Sequence, residues 1–373
     1  MATSTNLEFK PPSGASSSFN IPPFPDNVRT APLLTICLKK LVENDDGERE
    51  RLFEASKSLG FMYLDMRGCE AGERLLRDAD NMFWLMDFFF DLPMEEKAKC
   101  DLSSQGSYFG YKGKGREVMD DQGTKDYNEM YNISKDDILG LTTPLPAPDI
   151  ITYHRPAVAA YISSNYAILD TLFTSLNTSL RLPPATLSSL HRKTEPSGCH
   201  TRFIRGHPSA SPQTTDQRTL GEHTDFGSLS ILFNRLGGLQ VQLPDSDDWV
   251  YVRPVPGCAI VNLGDAMVRF TAEVLRSNLH RVVDPPGEQK GMMRQSLVFF
   301  CRPEHTAQLR RLKGGMVDEE GIGGEAGEEE VGVSSKEWLE RRHMSKKIGV
   351  GFHKPGDFAK GAGTEGSRRA VKV

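Results

Sequence analysis

The 373-residue chain lacks the features that mark several large classes of protein. No stretch approaches the roughly 18 consecutive apolar residues of a transmembrane helix. Lysine and arginine total 45 against 50 aspartates and glutamates, so the net charge is −5 and no general basic excess favours nucleic acid or anionic membranes. The first residues lack the apolar core of a signal peptide and read as a disordered leader. Membrane-spanning and nucleic-acid-binding proteins are therefore not expected classes.

Cysteine is sparse and scattered. The six cysteines lie at positions 37, 69, 100, 199, 258 and 301, so no CxxC motif and no zinc-finger spacing occurs. Isolated thiols of this kind are typical of buried, inert side chains in a reducing compartment, and we expect a cytoplasmic protein. The glycine-rich stretch GYKGKG is not followed by the Gly-Lys-Ser/Thr of a phosphate-binding loop, and we interpret it as a turn.

The apolar pattern changes along the chain. Helix signals dominate the first half, where Asp46 is the candidate N-cap of a helix that ends at Gly60, and a long helix runs from about Pro156 to Leu182. From about residue 198, short alternating runs separated by Gly, Pro, Asp and Asn predict an antiparallel sandwich or barrel. We predict a disordered leader (1–19), an N-terminal region (20–150), a long linking helix (151–197), a β core (198–306), an acidic loop with a C-terminal helix (307–348) and a disordered tail (349–373).

One run, LGEHTDFGSLSILF, reads as a strand with a polar start. Its apolar residues alternate from Leu229 to Phe233, and His223 and Asp225 lie two residues apart. In an extended chain both polar side chains would point to the same face. An imidazole and a carboxylate together are ligands for a borderline metal such as Fe(II). Taken alone, the pair fits an ordinary surface or core pair better than a metal site.

Two later runs change that interpretation. NLHRVV places His280 on a strand-like segment 55 residues after Asp225, and a barrel can bring such a distant strand beside the first. Fourteen residues further on, RQSLVFF places Arg294 and Ser296 on one strand face. An arginine with a neighbouring hydroxyl can bind a carboxylate, the arginine in bidentate fashion. The spacing therefore offers a third metal ligand and an anion site.

HTD, NLHRV and RQS together resemble the iron(II)- and 2-oxoglutarate-dependent oxygenases, in particular the branch that includes isopenicillin N synthase and the plant and fungal small-molecule dioxygenases. GGLQV and PVPGCAIVNLGD follow the order of that branch's core, and GFMYLDMRG, FFDLPMEEKAK, GYKGKG and DYNEMYNI resemble its N-terminal region. The resemblance covers roughly residues 20–305. It implies a mainly β fold with flanking helices: a distorted double-stranded β-helix, or jelly roll, with a helical N-terminal region.

By this resemblance, His223, Asp225 and His280 match the iron ligands, and Arg294 and Ser296 match the pair that binds the distal carboxylate of 2-oxoglutarate. The implied cofactors are Fe(II), the co-substrate 2-oxoglutarate and O₂; three protein ligands leave three positions open for the latter two. The implied reaction is hydroxylation, desaturation or related C–H oxidation of a small, secondary metabolite through a ferryl species, with release of succinate and CO₂. No catalytic residue beyond the metal site and no nucleic-acid, membrane or protein partner is indicated.

The weaker candidates surround this core set. Relatives usually carry a tyrosine just before the HTD strand, but here Gly206 or His207 takes its place. The sequence therefore does not identify the group that would hydrogen-bond the carboxylate of 2-oxoglutarate on the side of the metal. His200 and His207 are alternative candidates for metal ligands, or for hydrogen-bond donors to the groups around the metal. Asp265 is interpreted as a turn or cap residue. The aromatic candidates for substrate contacts are Tyr108, Tyr111, Phe203, Phe226 and Phe300.

Two other functions stay open on the sequence alone. Isopenicillin N synthase and the ethylene-forming amino-cyclopropane oxidase look similar and retain an Arg-x-Ser, so Arg294 and Ser296 also fit an iron oxidase that does not use 2-oxoglutarate. A non-enzymatic binding protein on the same fold would be marked by the loss of an iron ligand, and all three are present. The sequence does not identify the substrate.

Overall fold

A computed structural model of the chain describes residues 21–116, 125–208, 218–244, 246–319 and 333–345. The predicted leader and tail, and the middle of the predicted acidic loop, lie outside these described residues. Within them, no helix has both the length and the apolar character needed to cross a membrane.

Two sheets form the centre of the described structure. The larger has eight strands in the order β1-β2-β10-β7-β12-β5-β4-β3, and the smaller has four in the order β6-β11-β8-β9. All pairings within these sheets are antiparallel except that of β1 with β2. The strands are β1 (Thr35–Cys37), β2 (Phe61–Asp65), β3 (Gly110–Lys112), β4 (Asn128–Ser134), β5 (His200–Gly206), β6 (Arg218–His223), β7 (Leu229–Asn234), β8 (Leu239–Gln242), β9 (Trp249–Tyr251), β10 (Cys258–Leu263), β11 (His280–Val283) and β12 (Arg294–Cys301).

Helices cover the outer side of the larger sheet, so the prediction of a β core with flanking helices and a helical N-terminal region is confirmed. The longest are α3 and α7, which pack on each other. The α-helices are α1 (Leu38–Val42), α2 (Asp46–Ser58), α3 (Glu70–Asp91), α4 (Met94–Ala98), α5 (Lys135–Ile138), α6 (Asp149–Tyr153), α7 (Arg155–Ser179), α8 (Asp265–Phe270) and α9 (Ser335–Ser345), with short 3₁₀ turns at Ser103–Gln105, Ser188–Leu190, Gly287–Gln289 and Gly315–Asp318.

The alternation of strand side chains produces two apolar clusters. On β7, Ile231 and Phe233 point toward the helices and join the larger cluster with α3 and α7. Leu232 points the other way and joins Val298 and Val241 in a smaller cluster between the two sheets. Because each fully buried side chain of this size contributes about 1.5–3 kcal/mol, the two clusters fix the sheets and helices relative to one another.

The start of α2 corrects one sequence prediction. The capping residue is Asp45, not Asp46: the Asp45 side chain accepts a hydrogen bond of 2.7 Å from the backbone N–H of Glu48. The predicted stop at Gly60 is confirmed, because its N–H bonds Ala55 O at 2.9 Å and its φ is +70°. A Cβ at Gly60 would lie 2.1 Å from the carbonyl oxygen of Arg276, so glycine is required there.

The structure also corrects the prediction that LGEHTDFGSLSILF forms a single strand with a polar start. The segment is not one strand: β6 ends at His223, a turn follows, and β7 begins at Leu229. The two strands belong to different sheets, β6 to the smaller and β7 to the larger. His223 and Asp225 therefore do not share a strand face. They lie where the chain passes from one sheet to the other.

Candidate metal centre

The two histidines of the site form a cross-strand pair. His223 ends β6 and His280 begins β11, and the two are directly opposite in the antiparallel register, with ring centroids 4.3 Å apart. Each ring is fixed through Nδ1, which lies 2.8 Å from Gly221 O in His223 and 3.2 Å from Asn278 O in His280. An Nδ1–H that donates to a carbonyl leaves Nε2 with a lone pair, which is the state that a metal requires.

The carboxylate of Asp225 is held by the larger sheet. Its Oδ2 accepts hydrogen bonds from Ser230 Oγ at 2.6 Å and from Asn262 Nδ2 at 2.8 Å. Ser230 on β7 and Asn262 on β10 are themselves a cross-strand pair. Burial would raise the pKa of Asp225, but the facing histidines and these two hydrogen bonds lower it to about 2. The group is therefore a carboxylate at neutral pH.

Three ligand atoms converge on one point. Asp225 Oδ1 lies 4.0 Å from His223 Nε2 and 3.8 Å from His280 Nε2, and one ligand atom from each residue lies within 4.8 Å of the others. Two imidazole nitrogens and one carboxylate oxygen fit Fe(II), because they leave coordination positions open. The donor set and its spacing can therefore hold the metal that the sequence implied.

The turn that carries Asp225 depends on close backbone contacts. A Cβ at Gly264 would lie 2.3 Å from Gly227 O and 2.8 Å from Asp225 O, so only glycine allows this approach. The next residue, Asp265, begins α8; its N–H donates to Asp225 O at 2.8 Å, and its Oδ2 accepts from Thr224 Oγ1 at 3.0 Å. Asp265 therefore supports the turn from behind the carboxylate.

Arg294 and Ser296 lie together at the beginning of β12. Arg294 Nη1 donates to Ser296 Oγ at 2.6 Å and Nε donates to Gly237 O at 2.8 Å. The guanidinium is buried, which lowers its pKa to about 10 and leaves it charged at neutral pH. No carboxylate among the described residues forms an ion pair with it. A buried cation in this state favours an anionic ligand.

Gly206 and His207 stand at the position just before the HTD segment where relatives usually carry a tyrosine. Gly206 pairs with Arg294 across β5 and β12 and presents no side chain. His207 lies 3.0 Å through Nε2 from Glu129 Oε1, and the other oxygen of Glu129 accepts hydrogen bonds from Lys97 at 2.9 Å and Tyr111 at 2.7 Å. His207 is therefore bound to this buried cluster, and the structure does not bring it to the three metal-site residues.

A pocket of about 370 Å³ opens beside the metal centre. His223 and Asp225 form part of its wall. Four of the five aromatic candidates also line it, whereas Phe203 is fully buried in the larger apolar cluster and faces away. His200 lies behind the wall, where its ring stacks on Phe300 at 4.8 Å, and burial holds its pKa well below the usual value. The lining candidates are Tyr108, Tyr111, Phe226 and Phe300.

Three further residues that the structure places at the site have only weak signals in the sequence. Ser230 and Asn262 orient Asp225, and their sequence signal is a polar residue inside the apolar runs SLSILF and CAIVNLG. Arg302 lines the pocket just beyond the end of β12. Its signal was weaker, because an arginine after a strand is usually a surface residue.

Comparison with known proteins agrees with this geometry. Residues 197–303 match the model of the 2OG-Fe(II) oxygenase superfamily, and residues 33–149 match that of the non-haem dioxygenase in morphine synthesis N-terminal region. A 2-oxoglutarate-dependent dioxygenase of Aspergillus fumigatus is 35% identical over 313 residues, which cover 78% of this chain and 80% of the relative. The dioxygenase frbH of a Dothideomycetidae species is 30% identical, covering 77% of this chain and 87% of that one.

Solved structures show the same fold. A full-length Neurospora crassa protein, crystallised in complex with alpha-KG, superposes with a TM-score of 0.70 at 23% identity, over 83% of this chain and 95% of that one. JOX2 in complex with 2OG, Fe and JA superposes with a TM-score of 0.58 at 24% identity, over 81% of this chain and 84% of that one. The jelly-roll prediction is confirmed by these likenesses.

Proposed function

Because the chain belongs to the 2OG-Fe(II) oxygenase superfamily and is a 2-oxoglutarate-dependent dioxygenase using Fe(II), 2-oxoglutarate and O₂, we propose that it oxidises a C–H bond of a small metabolite. Hydroxylation, desaturation and related outcomes all fit the site. The iron ligands in this proposal are His223, Asp225 and His280. The observation that carries it is the convergence of their three ligand atoms within 4.8 Å at the wall of a pocket.

Fe(II) held by His223, Asp225 and His280 would, with 2-oxoglutarate and O₂, supply the oxidant, and 2-oxoglutarate would be converted to succinate and CO₂. The chain's own residues orient and shield the reacting groups. Gly221 O and Asn278 O fix the two imidazoles, and the pair Ser230 and Asn262 fixes the carboxylate. Phe61 packs edge-on against His280 at 5.3 Å and keeps water from that side of the ring.

Arg294 and Ser296 are proposed to bind the distal carboxylate of 2-oxoglutarate. The support is a buried guanidinium that is hydrogen-bonded to a serine hydroxyl and has no carboxylate partner among the described residues. An iron oxidase without 2-oxoglutarate is not favoured, because the curated relatives are named 2-oxoglutarate-dependent dioxygenases. A small molecule as substrate is supported by the pocket's volume of about 370 Å³. A secondary metabolite is supported by the match of residues 33–149 to a family named for a non-haem dioxygenase in morphine synthesis.

An anaerobic titration tests the proposal. Fe(II) is added to the protein with 2-oxoglutarate, and the weak visible charge-transfer band of the chelate is recorded. We expect the band in wild type and in His154→Ala, a histidine outside the site, and its loss in His223→Ala. A wild-type protein that binds neither iron nor 2-oxoglutarate would contradict the proposal.

A further inference from the structure

The pocket beside the metal centre has a basic wall. Asp101 is paired with Arg116 at 3.1 Å, and Asp225 belongs to the metal site. Lys112 forms an ion pair with Asp126 behind the wall. The basic side chains therefore outnumber the acidic ones that face the same space. Among the described residues, the charged lining consists of Lys112, Arg116, Arg202 and Arg302 against Asp101 and Asp225.

Arg302 is the basic residue whose surroundings point to a ligand. It is only 8% exposed, its Nη1 donates to Gly198 O at 2.9 Å, and its Nε is buried without a hydrogen-bond partner in the described part of the chain. No carboxylate there forms an ion pair with it. A guanidinium carries five N–H donors, and a buried cation without a carboxylate is unfavourable. An anionic ligand would supply the missing partner.

The site around Arg302 is rigid. The backbone N–H of Arg302 donates to Cys199 Sγ at 3.1 Å, and the guanidinium carbon lies 5.2 Å from the centre of the Tyr108 ring. The Tyr108 hydroxyl donates to the same Gly198 oxygen at 3.2 Å. Both side chains are thus fixed on one carbonyl, so the guanidinium is already placed before a ligand arrives.

Arg302 and Arg294 lie at opposite ends of one strand face. Alternate residues of β12 share a face, and Arg302 follows the end of that strand. Eight residues of extended chain span about 26 Å, so the two arginines cannot grip opposite ends of one five-carbon diacid. If Arg294 binds the co-substrate, Arg302 is left for a second anion.

The metal centre lies close to the Arg302 end of the pocket. Phe300 pairs across the sheet with Ser230, whose hydroxyl holds Asp225. Arg302 is two residues beyond Phe300, about 7 Å along the chain. A ligand anchored on Arg302 therefore needs only a short body to bring a carbon to the metal.

The walls between the two points are aromatic. Phe300 is held by the stacked His200 ring on one side and by the Arg202 guanidinium, which lies 4.8 Å from its centre. Tyr108 and Phe226 also line the space. Such surfaces suit a planar or ring-containing apolar group.

We propose that this pocket selects a small carboxylic acid with a ring-containing apolar body, and that Arg302 binds its carboxylate. This inference rests on the proposed function, because it names the substrate class of the same site. Arg302 is a specificity-determining residue: it holds the substrate so that a carbon near the ring faces the metal.

The test uses the full chain, loaded anaerobically with Fe(II) and 2-oxoglutarate. Binding of phenylacetate, 3-phenylpropanoate and 4-phenylbutanoate is measured by calorimetry beside their methyl esters. At least one acid should bind tenfold or more tightly than its ester, and rising salt should weaken the acid more than the ester. Arg302→Gln should remove this preference, whereas Arg302→Lys should keep part of it and Arg253→Gln, at the surface, all of it.

The outcomes separate the two proposals. If the charge-transfer band forms but no acid is preferred over its ester, the assignment of Arg302 is wrong and the oxygenase function stands. If Arg302→Gln keeps the preference, another residue binds the carboxylate and the assignment is also wrong. Loss of the band in wild type contradicts the oxygenase function itself. If Arg302→Gln fails to fold, Arg302→Lys decides the question, because a lysine cannot reproduce the planar fork of the guanidinium, and an acid preference equal to that of wild type would contradict the assignment.

Discussion

At the scale of single residues, the orientation of Asp225 is the feature on which the metal centre depends. One carboxylate oxygen faces the two imidazoles, and the other is fixed by Ser230 and Asn262. A carboxylate that could rotate would not keep one oxygen toward the imidazoles and the other toward Ser230 and Asn262. Mutation of residues that orient a metal ligand in this way typically lowers metal affinity by about ten- to a hundredfold.

We expect Asn262→Ala to weaken Fe(II) binding by about ten- to a hundredfold, because Asp225 Oδ2 loses one of its two donors. Anaerobic calorimetry with Fe(II) measures the change. Asn234→Ala is the matched control, since Asn234 ends β7 and its amide donates to the carbonyl of Leu236, just beyond that strand, rather than to Asp225. Equal affinity in wild type and Asn262→Ala would show that Ser230 alone orients the carboxylate.

Arg294→Gln should weaken 2-oxoglutarate binding by about ten- to a hundredfold, since a hydrogen bond to a charged group contributes about 1.5–3 kcal/mol. Iron affinity should not change, because the bonds that Arg294 makes within the described residues go to Gly237 and Ser296 and not to an iron ligand. The dissociation constant of 2-oxoglutarate is measured under nitrogen, with Arg235→Gln, a surface ion-pair variant, as control. An unaltered constant in Arg294→Gln would remove this residue from the co-substrate site.

The residues predicted from the sequence were those with strong spacing signals. His223, Asp225 and His280 could be singled out because their types and order match a metal site, and the structure brings them together. Ser230 and Asn262 could not, because their role depends on the register between β7 and β10, which is fixed by tertiary packing. Arg302 carries no such signal, because its burial arises from the fold and not from the local sequence pattern.

At the scale of elements, the connection between β6 and β7 shows where alternating hydrophobicity fails to predict which residues share a strand. The alternation in SLSILF correctly indicated a strand, but it could not show that LGEH belongs to a different sheet. Period-two spacing predicts a shared face only while the chain stays extended. Between His223 and Leu229 the chain turns, and the turn itself carries Asp225.

The same kind of limit applies to the start of α2, where two adjacent aspartates compete for one role. Asp45→Ala should lower the free energy of unfolding by about 1 kcal/mol, because the helix loses its capping acceptor for Glu48 N. Asp46→Ala should change it by less than about 0.5 kcal/mol, since the interaction of the Asp46 side chain within the described residues is an exposed ion pair with Arg49. Urea unfolding distinguishes them, and a larger loss in Asp46→Ala would overturn the assignment of the cap.

At the scale of the whole molecule, buried neutral histidines make stability depend on pH. Burial lowers the pKa of His191 to about 4, while its Nδ1 lies 2.7 Å from Leu187 O and its Nε2 2.6 Å from Ser228 Oγ. The unfolded chain binds a proton below about pH 6.5, and the folded chain does not until about pH 4. The stability is thus complete above pH 6.5 and lost as pH falls toward 4.

The loss from His191 alone should be about 3 kcal/mol over that interval. Urea midpoints at pH 7.5 and pH 4.5 measure it in wild type and in His191→Phe, which keeps the stacking on Phe173. The readout is the difference between the two pH values, so a general destabilisation of the variant does not affect it. A variant that retains the full wild-type difference would assign the effect to other groups.

The position of the metal centre between the sheets has a consequence for local opening. Among the described strands, β6 lies at the edge of the smaller sheet and pairs only with β11, and that pairing is irregular. A bound ion would join its last residue to a carboxylate anchored on the larger sheet, so β6 could not separate without breaking a metal bond. Amide hydrogen exchange in β6 and β11 should therefore slow when Fe(II) binds, while exchange in β8 and β9 changes little. Metal occupancy would then determine how often β6 separates from the rest of the structure by local opening.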